Sequence, residues 1–400
     1  MRAAIFIFCV FFVFFSCGMD NKQIFIDDSG VIIVPINMNG IPSLTDLANV
    51  NENSDLSFLN KYSINITELA DSVSFVKLEI TDDCLIASIK KIFFIEDRFF
   101  IHESKTSSIL VFDKSGKFLY RVGRLGNGPG EYNRISSFLC DEKNNRLMIY
   151  DVVSLKMIYY SLEGQLIKVI PQFSDGFVVR DVINLPDGRF LCYKSDIEGK
   201  YPDGVWEVDS LGKIGKYYFK QDKQYPHYNQ SNYFYKLEGG NVGLWRADYN
   251  DIYHFSDTTA HKYMSLIPNK QTAVDFPNET IKTHPSVIRK KNLREKGNYL
   301  FVEWIGGIDT EFRCTNIYFK NDNELFTGFA INYSNNEIGI IGGGDIVDFN
   351  IHDQLMSVIY ADEVDYLMES KYLSNESRKN LSELNIDKED NPVLEIIYLK

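Results

Sequence analysis

The sequence predicts an all-β fold, because one short pattern of strands and turns repeats along the chain. Ile109 to Phe112 is typical of a strand, Asp113 to Gly116 of a turn, and Phe118 to Val122 of a second strand. The turn glycine recurs at Gly116, Gly164 and Gly212, so the period is 48 residues. A period of that size built only from strands and turns indicates β-propeller blades.

A second pattern, independent of these glycines, gives the number of blades. In each unit two strands meet at a tight polar turn, and an apolar strand follows the turn at once. These turns lie near Asp97, Asn145, Gly188, Gly240, Gly297 and Asp353. Six turns predict a single six-bladed β-propeller.

The ends of the ring and its insertions can also be placed. A propeller has to close, because an open blade leaves strand edges exposed. We therefore predict that Val73 to Leu78, which alternates as a strand, pairs with the last blade. Met368 to Asp390 has a helical pattern with Asn375 as a candidate cap, which predicts a helical insertion in the last blade.

One further insertion is predicted between the fourth and fifth blades. Pro268 to Lys296 is polar and partly basic. Its basic run, Arg289 to Lys291 with Arg294, is expected on a solvated loop or helix face.

The N-terminus has the pattern of a targeting segment. Arg2 precedes an apolar run, Ile5 to Phe15, that is too short to span a bilayer. Ser16 and Cys17 then resemble a bacterial lipoprotein cleavage site, with Cys17 as the lipidated residue; the alternative is an ordinary secretory signal with an incidental cysteine. We predict a signal peptide over 1–16, a lipidated tether over 17–63 and the propeller over 64–400.

Four stretches carry a family resemblance: Leu78 to Asp83, Phe112 to Phe118, Gly126 to Tyr132 and Asp390 to Val393. They resemble the six-bladed β-propeller lipoproteins of Gram-negative bacteria, which are NHL-like propellers. The resemblance runs from about Ile64 to Lys400 and is most specific in Gly128 to Tyr132. It implies this fold, export, and a lipid anchor in the outer membrane, on a side left open. It brings no catalytic residue with it.

Composition restricts the partners. The chain of 400 residues has a formal net charge of −13, and 44% of it is apolar, which is enough for a large core. So acidic a surface argues against nucleic acid or anionic lipid as the main partner. The predicted membrane contact is therefore through the lipid anchor only.

The glycine-rich stretch Gly126 to Gly130 does not fit a phosphate-binding loop. Such loops need a helix after them and usually a Lys with Ser or Thr, whereas Pro129, Glu131 and a strand follow here. We expect a connection between blades in which Gly128 and Gly130 have positive φ and Glu131 accepts backbone amides. No cofactor is predicted.

Metal and thiol chemistry have little support in the sequence. The six histidines show no metal-ligand spacing, and no calcium loop is present, so no metal site is predicted. A single cation held by distant ligands in the channel is left open. Cys84, Cys140, Cys192 and Cys314 lie among apolar neighbours and are expected as buried thiols rather than disulfides.

Tyr217 to Tyr235 is the most aromatic connection, and it includes Tyr225, His227 and Tyr228. Aromatic side chains on such a loop are suited to stacking on a sugar or peptide. The alternative is that they seal a junction between two blades.

These features predict a binding surface where the chain crosses from one blade to the next. All such crossovers lie on one face, and loops on a rigid scaffold are frequent binding sites. The candidate residues are Arg124, Asn127, Glu131, Tyr225, His227 and Tyr228. The predicted function is a non-catalytic binding module for a glycan, peptide or envelope protein. The alternative is an envelope hydrolase or lyase that uses carboxylates or a bound cation in the channel.

Overall fold

The computed structural model describes residues 24–41, 62–194, 202–220, 232–246, 249–256, 259–271, 287–306, 312–328, 330–332, 346–349, 354–369 and 375–400. Six antiparallel sheets of four strands form an all-β, six-bladed propeller, as predicted, and one sheet carries two further strands. We number the blades 1 to 6 in chain order, and the strands of each blade first to fourth from the axis outward.

The strands of each blade are antiparallel neighbours, and their bounds are as follows. Blade 1 comprises Ile89–Ile95, Arg98–Glu103, Ser108–Asp113 and Phe118–Val122. Blade 2 comprises Ile135–Asp141, Arg146–Asp151, Lys156–Ser161 and Leu166–Ile170. Blade 3 comprises Val179–Asn184, Phe190–Lys194, Gly204–Val208 and Ile214–Lys220.

The remaining blades follow the same order. Blade 4 comprises Phe234–Lys236, Val242–Leu244, Asp251–Ser256 and Thr259–Pro268. Blade 5 comprises Ile288–Lys296, Tyr299–Gly306, Phe312–Phe319 and Glu324–Gly328. Blade 6 comprises Ile346–Phe349, Gln354–Ile359, Val393–Leu399 and the early strand Ala70–Lys77.

The alternating strand direction decides what lies on each face of the ring. Every first strand runs the same way, so the connections from a fourth strand to the next first strand share one face, which we call the crossover face. The turns between second and third strands lie on that face too. The other turns lie on the opposite face, which we call the hairpin face.

The ring is closed by a strand from near the N-terminus. In blade 6, Val73 lies opposite Ile397 and Val76 lies opposite Leu394. This ladder confirms the predicted closure. Since one blade contains both the first and the last strand of the ring, the ring cannot open without breaking it.

The 48-residue period has a structural cause in the turns between third and fourth strands. Asp113 Oδ1 accepts the amides of Ser115 and Lys117 at 2.8 and 3.1 Å, and Asp209 repeats these bonds in blade 3. In blade 2 the Ser161 hydroxyl takes the same role. Each turn ends in a glycine of positive φ, at Gly116, Gly164 and Gly212, where a side chain would be strained.

The N-terminal segment is attached to blade 4. Ile32–Ile36 adds in parallel to the fourth strand, with Val34 opposite Leu266, and Phe25–Ile26 pairs with it in turn. Val34, Ile36 and Met38 are buried there. This segment falls within the predicted tether of 17–63, and it is packed on the propeller because its apolar side chains extend the blade 4 core.

Three α-helices occur in the described ranges: α1 (Ile66–Leu69), α2 (Ala361–Glu369) and α3 (Asn375–Glu383). The last two lie between the second and third strands of blade 6. Just before α1, Ser63–Asn65 pairs in parallel with Ala330–Asn332. None of these helices has the length and apolar character needed to cross a membrane.

The predicted insertion at Pro268 to Lys296 is wrong in its second half. Ile288–Lys296 is the first strand of blade 5, and Lys290 and Arg294 within it are 1% and 6% exposed. Lys290 fits there because its ammonium lies 5.1 Å from the centre of the Trp304 ring and its apolar stem can pack in the sheet. A basic run can therefore form a strand next to the axis.

The core lies between neighbouring blades. Between blades 1 and 2, for example, Phe100 packs with Phe138 and Ile149. Cys84, Cys140, Cys192 and Cys314 are free and buried, as predicted. Burial raises the pKa of Cys140 to about 12, so its thiol stays protonated and unreactive at neutral pH.

Candidate functional site on the crossover face

The connection from blade 1 to blade 2, residues 123–133, is called the glycine loop here. Its ends form a short parallel ladder, Arg124–Leu125 beside Glu131–Tyr132. The Gly126 amide donates to the Tyr132 carbonyl at 2.9 Å, and the Glu131 amide donates to the Gly128 carbonyl at 3.1 Å. The loop is thus folded back on itself, and the first strand of blade 2 follows it.

The prediction for the loop glycines is right for Gly130 and wrong for Gly128. Gly130 has a φ of +73°, and a Cβ there would lie 2.7 Å from Leu166 Cδ2. The φ of Gly128 is not positive; a Cβ there would lie 2.9 Å from Glu131 Oε2. Gly128 is therefore needed for space, because the Glu131 carboxylate occupies the place of a side chain.

Glu131 holds the loop from inside. Its Oε2 accepts the Gly128 amide at 2.8 Å, and its Oε1 accepts Arg124 Nε at 2.6 Å. The bond from the Gly128 amide, followed by that from Arg124, lowers the pKa of Glu131. The Arg124 side chain is 80% exposed whereas that of Glu131 is 19% exposed, so Arg124 is the member of the pair that a ligand can reach.

Asn127 is joined to the neighbouring turn on the same face. Asn133 Nδ2 donates to Asn127 Oδ1 at 3.0 Å and to Ser154 Oγ at 3.1 Å. Ser154 lies between the second and third strands of blade 2. One amide group therefore ties the glycine loop to the adjacent loop of the face.

Buried carboxylates fix these loops to the blades. Asp151, at the end of the second strand of blade 2, accepts the amides of Asn133, Arg134 and Val153 at 3.0 to 3.1 Å. Burial alone would raise the pKa of Asp151, but these bonds and one from Ser154 lower it. Glu103 holds the same position in blade 1, 48 residues earlier, and binds three amides likewise. In each of these blades, the carboxylate thereby holds two segments rigid: the crossover that enters the blade and the turn between its second and third strands.

The predicted site residues are brought together only in part. Arg124, Asn127 and Glu131 share the glycine loop. Tyr225, His227 and Tyr228 lie outside the described residues, as does Cys17. Across the described ranges, no group of three His, Cys, Asp or Glu side chains is arranged to hold a metal ion.

The described aromatics of the Tyr217 to Tyr235 region belong to the blades. Tyr233 and Tyr235 are 9% and 7% exposed, and the Tyr233 ring stacks on Tyr193 with centres 3.8 Å apart. Tyr217 stacks on Trp206 in blade 3. For these residues the alternative holds, because each fills a junction between blades: Tyr233 between blades 3 and 4, Tyr235 between blades 4 and 5, and Tyr217 between blades 2 and 3.

A charge pattern next to the axis was not predicted from the sequence. The six first strands carry nine Lys and Arg against four Asp and Glu, although acidic residues outnumber basic ones in the whole chain by 55 to 42. The signal in the sequence was a basic pair inside an apolar strand, as in Ile89 to Ile92. The alternation of apolar and polar residues did not predict these basic residues, because the first strand of each blade has one edge toward the channel.

A polar cluster on the hairpin face between blades 4 and 5 was not predicted either. Glu295 accepts Tyr235 Oη at 2.8 Å, His254 Nε2 lies 3.4 Å away, and Lys320 Nζ lies 3.2 Å away. Burial alone would raise the pKa of Glu295, but its bond with His254 and the charge of Lys320 hold it below the usual value. Gly243 makes the cluster possible, because a Cβ there would lie 2.0 Å from the Tyr235 ring.

Two solved structures of low identity are similar to this chain, and the first shares its fold. A Bacteroides fragilis protein described as a "putative exported protein" has 20% identity and a TM-score of 0.70, over 92% of this chain and 99% of that chain. A member of the DUF4221 family from Bacteroides vulgatus has 11% identity and a TM-score of 0.48, over 83% of this chain and 97% of that chain. None of the curated proteins matches the sequence.

The family is shown by a match that covers nearly the whole propeller. The model of the domain of unknown function DUF4934 matches residues 48–398. That range includes all six blades and the glycine loop. The chain therefore belongs to the DUF4934 family.

Proposed function

We propose that this protein is an exported, lipid-anchored binding module that holds a glycan, peptide or envelope protein on its crossover face. The observation that carries this proposal is the rigid construction of the glycine loop. Glu131 and Asp151 fix its backbone from inside while Arg124 remains 80% exposed. A surface that is ordered before the ligand arrives loses less conformational entropy on binding.

The alternative function, a hydrolase or lyase, requires carboxylates and histidines that have shifted pKa values and lie close together in the channel. Burial lowers the pKa of His102 to about 3 and raises that of Glu395 to about 8. His102 contacts Phe138 of blade 2, whereas Glu395 shares a strand face with Ile397, which packs against blade 5. The two groups point into different blade junctions, so this pair favours binding over catalysis.

The test of the binding proposal compares variants on the two faces. Arg124→Ala and Asn127→Ala should each weaken binding to a ligand found on panels of immobilised glycans and envelope peptides by about tenfold, or about 1.4 kcal/mol. Lys114→Ala is the matched control, because Lys114 is an exposed cation on the hairpin face. Equal losses in all three variants, or none in the first two, would place the site elsewhere.

The membrane anchor is tested at Cys17. Cys17→Ala should abolish incorporation of labelled palmitate in a Gram-negative host and move the protein from the membrane fraction to the soluble fraction. Cys9→Ala is the control, since Cys9 lies within the predicted signal peptide. Retention of the Cys17→Ala protein in the membrane would show that another anchor exists.

A further inference from the structure

The crossover end of the channel is surrounded by basic residues. The first strands enter from the crossover face, and in blades 1, 2, 3, 5 and 6 their first four positions carry six Lys and Arg against Asp181 and Asp348. The basic residues are Lys90, Lys91, Arg180, Arg289, Lys290 and Lys291. So dense a positive ring in a chain of net charge −13 focuses an attractive potential for anions at this end.

Lys90 has unused capacity to bind an anion. Its ammonium donates to the Ser136 carbonyl of blade 2 at 2.7 Å, which uses one of three donors. In the described part of the chain, no carboxylate lies within ion-pair distance of it. Burial lowers the pKa of Lys90, and the charges of Lys91 and Arg180 act in the same direction while Asp181 opposes them.

Asp181 does not neutralise the ring by direct pairing. Its Oδ2 accepts the amides of Tyr233 and Phe234 at 2.8 and 3.1 Å. Its Oδ1 accepts Ser137 Oγ and the Val182 amide, both at 2.9 Å. The carboxylate is committed to the joint between blades 2, 3 and 4.

His102 supplies a second, independent observation. It lies beside Lys91 in the blade 1 ladder and is 1% exposed. Its Nε2 has no hydrogen-bond partner in the described structure, although a buried polar atom without one is costly. Burial, and then the charges of Lys90 and Lys91, lower the pKa of His102. A bound anion would give this nitrogen a partner.

We propose that the crossover end of the channel binds an anionic group, a carboxylate, sulfate or phosphate, between Lys90 of blade 1 and Arg180 of blade 3 and beside His102. This inference rests on the proposed function and deepens it, because it names the ligand class at the same face. Lys90 and Arg180 supply charge-assisted hydrogen bonds. His102 Nε2 supplies a third polar contact.

The test follows the imidazole of His102 by NMR during separate titrations with sodium glucuronate, sodium sulfate and sodium phosphate, at constant ionic strength set with sodium chloride. His102→Asn identifies the resonance among the six histidines. We expect a saturable shift with at least one anion, and a higher His102 pKa when that anion is bound. The three titrations distinguish the three sources of charge, and glucose is the neutral control.

Variants decide whether the shift arises in the channel. Lys90→Gln and Arg180→Gln should each weaken anion binding by about tenfold, or about 1.4 kcal/mol, while Lys90→Arg should retain the binding. Lys114→Gln, on the hairpin face, should leave it unchanged. The proposal is overturned if no anion shifts the His102 resonance, or if Lys114→Gln weakens anion binding as much as Lys90→Gln does. Arg124→Ala tests binding at the glycine loop, whereas these variants test binding in the channel. The two proposals can therefore fail separately.

Discussion

At the scale of single residues, the fold keeps some buried carboxyls ionised and one neutral. Asp151 and Glu295 receive several hydrogen bonds, which lower the pKa of each despite burial. Glu395 is fully buried, bonds to the Ser357 hydroxyl through Oε2, and has no partner for Oε1 among the described residues. Burial raises its pKa from 4.5 to about 8, so the protonated form predominates at neutral pH.

Glu395 should make the protein less stable as pH rises. The folded state binds this proton more tightly than the unfolded state, so its contribution is complete below pH 4.5 and is lost as pH rises through about 8. The loss is about 1.4 kcal/mol per pH unit over that window. Glu395→Gln should flatten the free energy of unfolding between pH 5 and pH 8, as measured by urea denaturation. Glu389→Gln, at an exposed position, is the control; a flat profile in wild type would contradict the assignment.

Gly130 should be more sensitive to substitution than a glycine with open space around it. Gly130 and Gly188 both have positive φ, at +73° and +87°, so alanine costs about 1 kcal/mol at either position. At Gly130 the new Cβ also meets Leu166, whereas nothing lies within 4 Å of the Cβ at Gly188. Gly130→Ala should therefore lower the free energy of unfolding by about 1–3 kcal/mol, and by more than Gly188→Ala does. Equal losses would mean that Leu166 simply moves aside.

At the scale of elements, the sequence predicted what is local and missed what depends on neighbours. The turns ending in Gly116, Gly164 and Gly212 were predictable because their hydrogen bonds join residues two to four apart. Ile288–Lys296 was not, because its basic side chains are accommodated by Trp304 and other residues of the blade. The docking of Ile32–Ile36 depends on a parallel edge more than 200 positions away, which no local pattern shows.

The strand Ile32–Ile36 should come off the propeller when its buried face is made polar. Val34 is fully buried against blade 4, and Val34→Asp would place an unpaired carboxylate there. We expect faster hydrogen exchange in residues 24–41 and in the blade 4 strand Thr259–Pro268, with little change in blades 1 to 3. Ile26→Asp is the control, since Ile26 is 68% exposed. Unchanged exchange in the Val34→Asp protein would show that main-chain pairing alone holds the segment.

At the scale of the whole molecule, the number of blades and the closure could be predicted, and the site only in part. Blade number follows from a repeat, and closure follows from the cost of an open edge. The Arg124 and Glu131 pair could be placed because seven positions separate its members. The basic ring could not be placed, because its residues belong to separate blades that become neighbours only once the propeller has closed.

The docking of the N-terminal segment also decides how freely the propeller can move. Cys17 and Ile24, the first described residue, are seven positions apart, and seven residues span at most about 25 Å. A lipid on Cys17 would therefore be joined to the rim of blade 4 by a short tether, rather than to the propeller by a long tether ending at residue 63. The rim of blade 4 would then stay close to the bilayer, and the propeller would meet its ligands at or near the membrane surface.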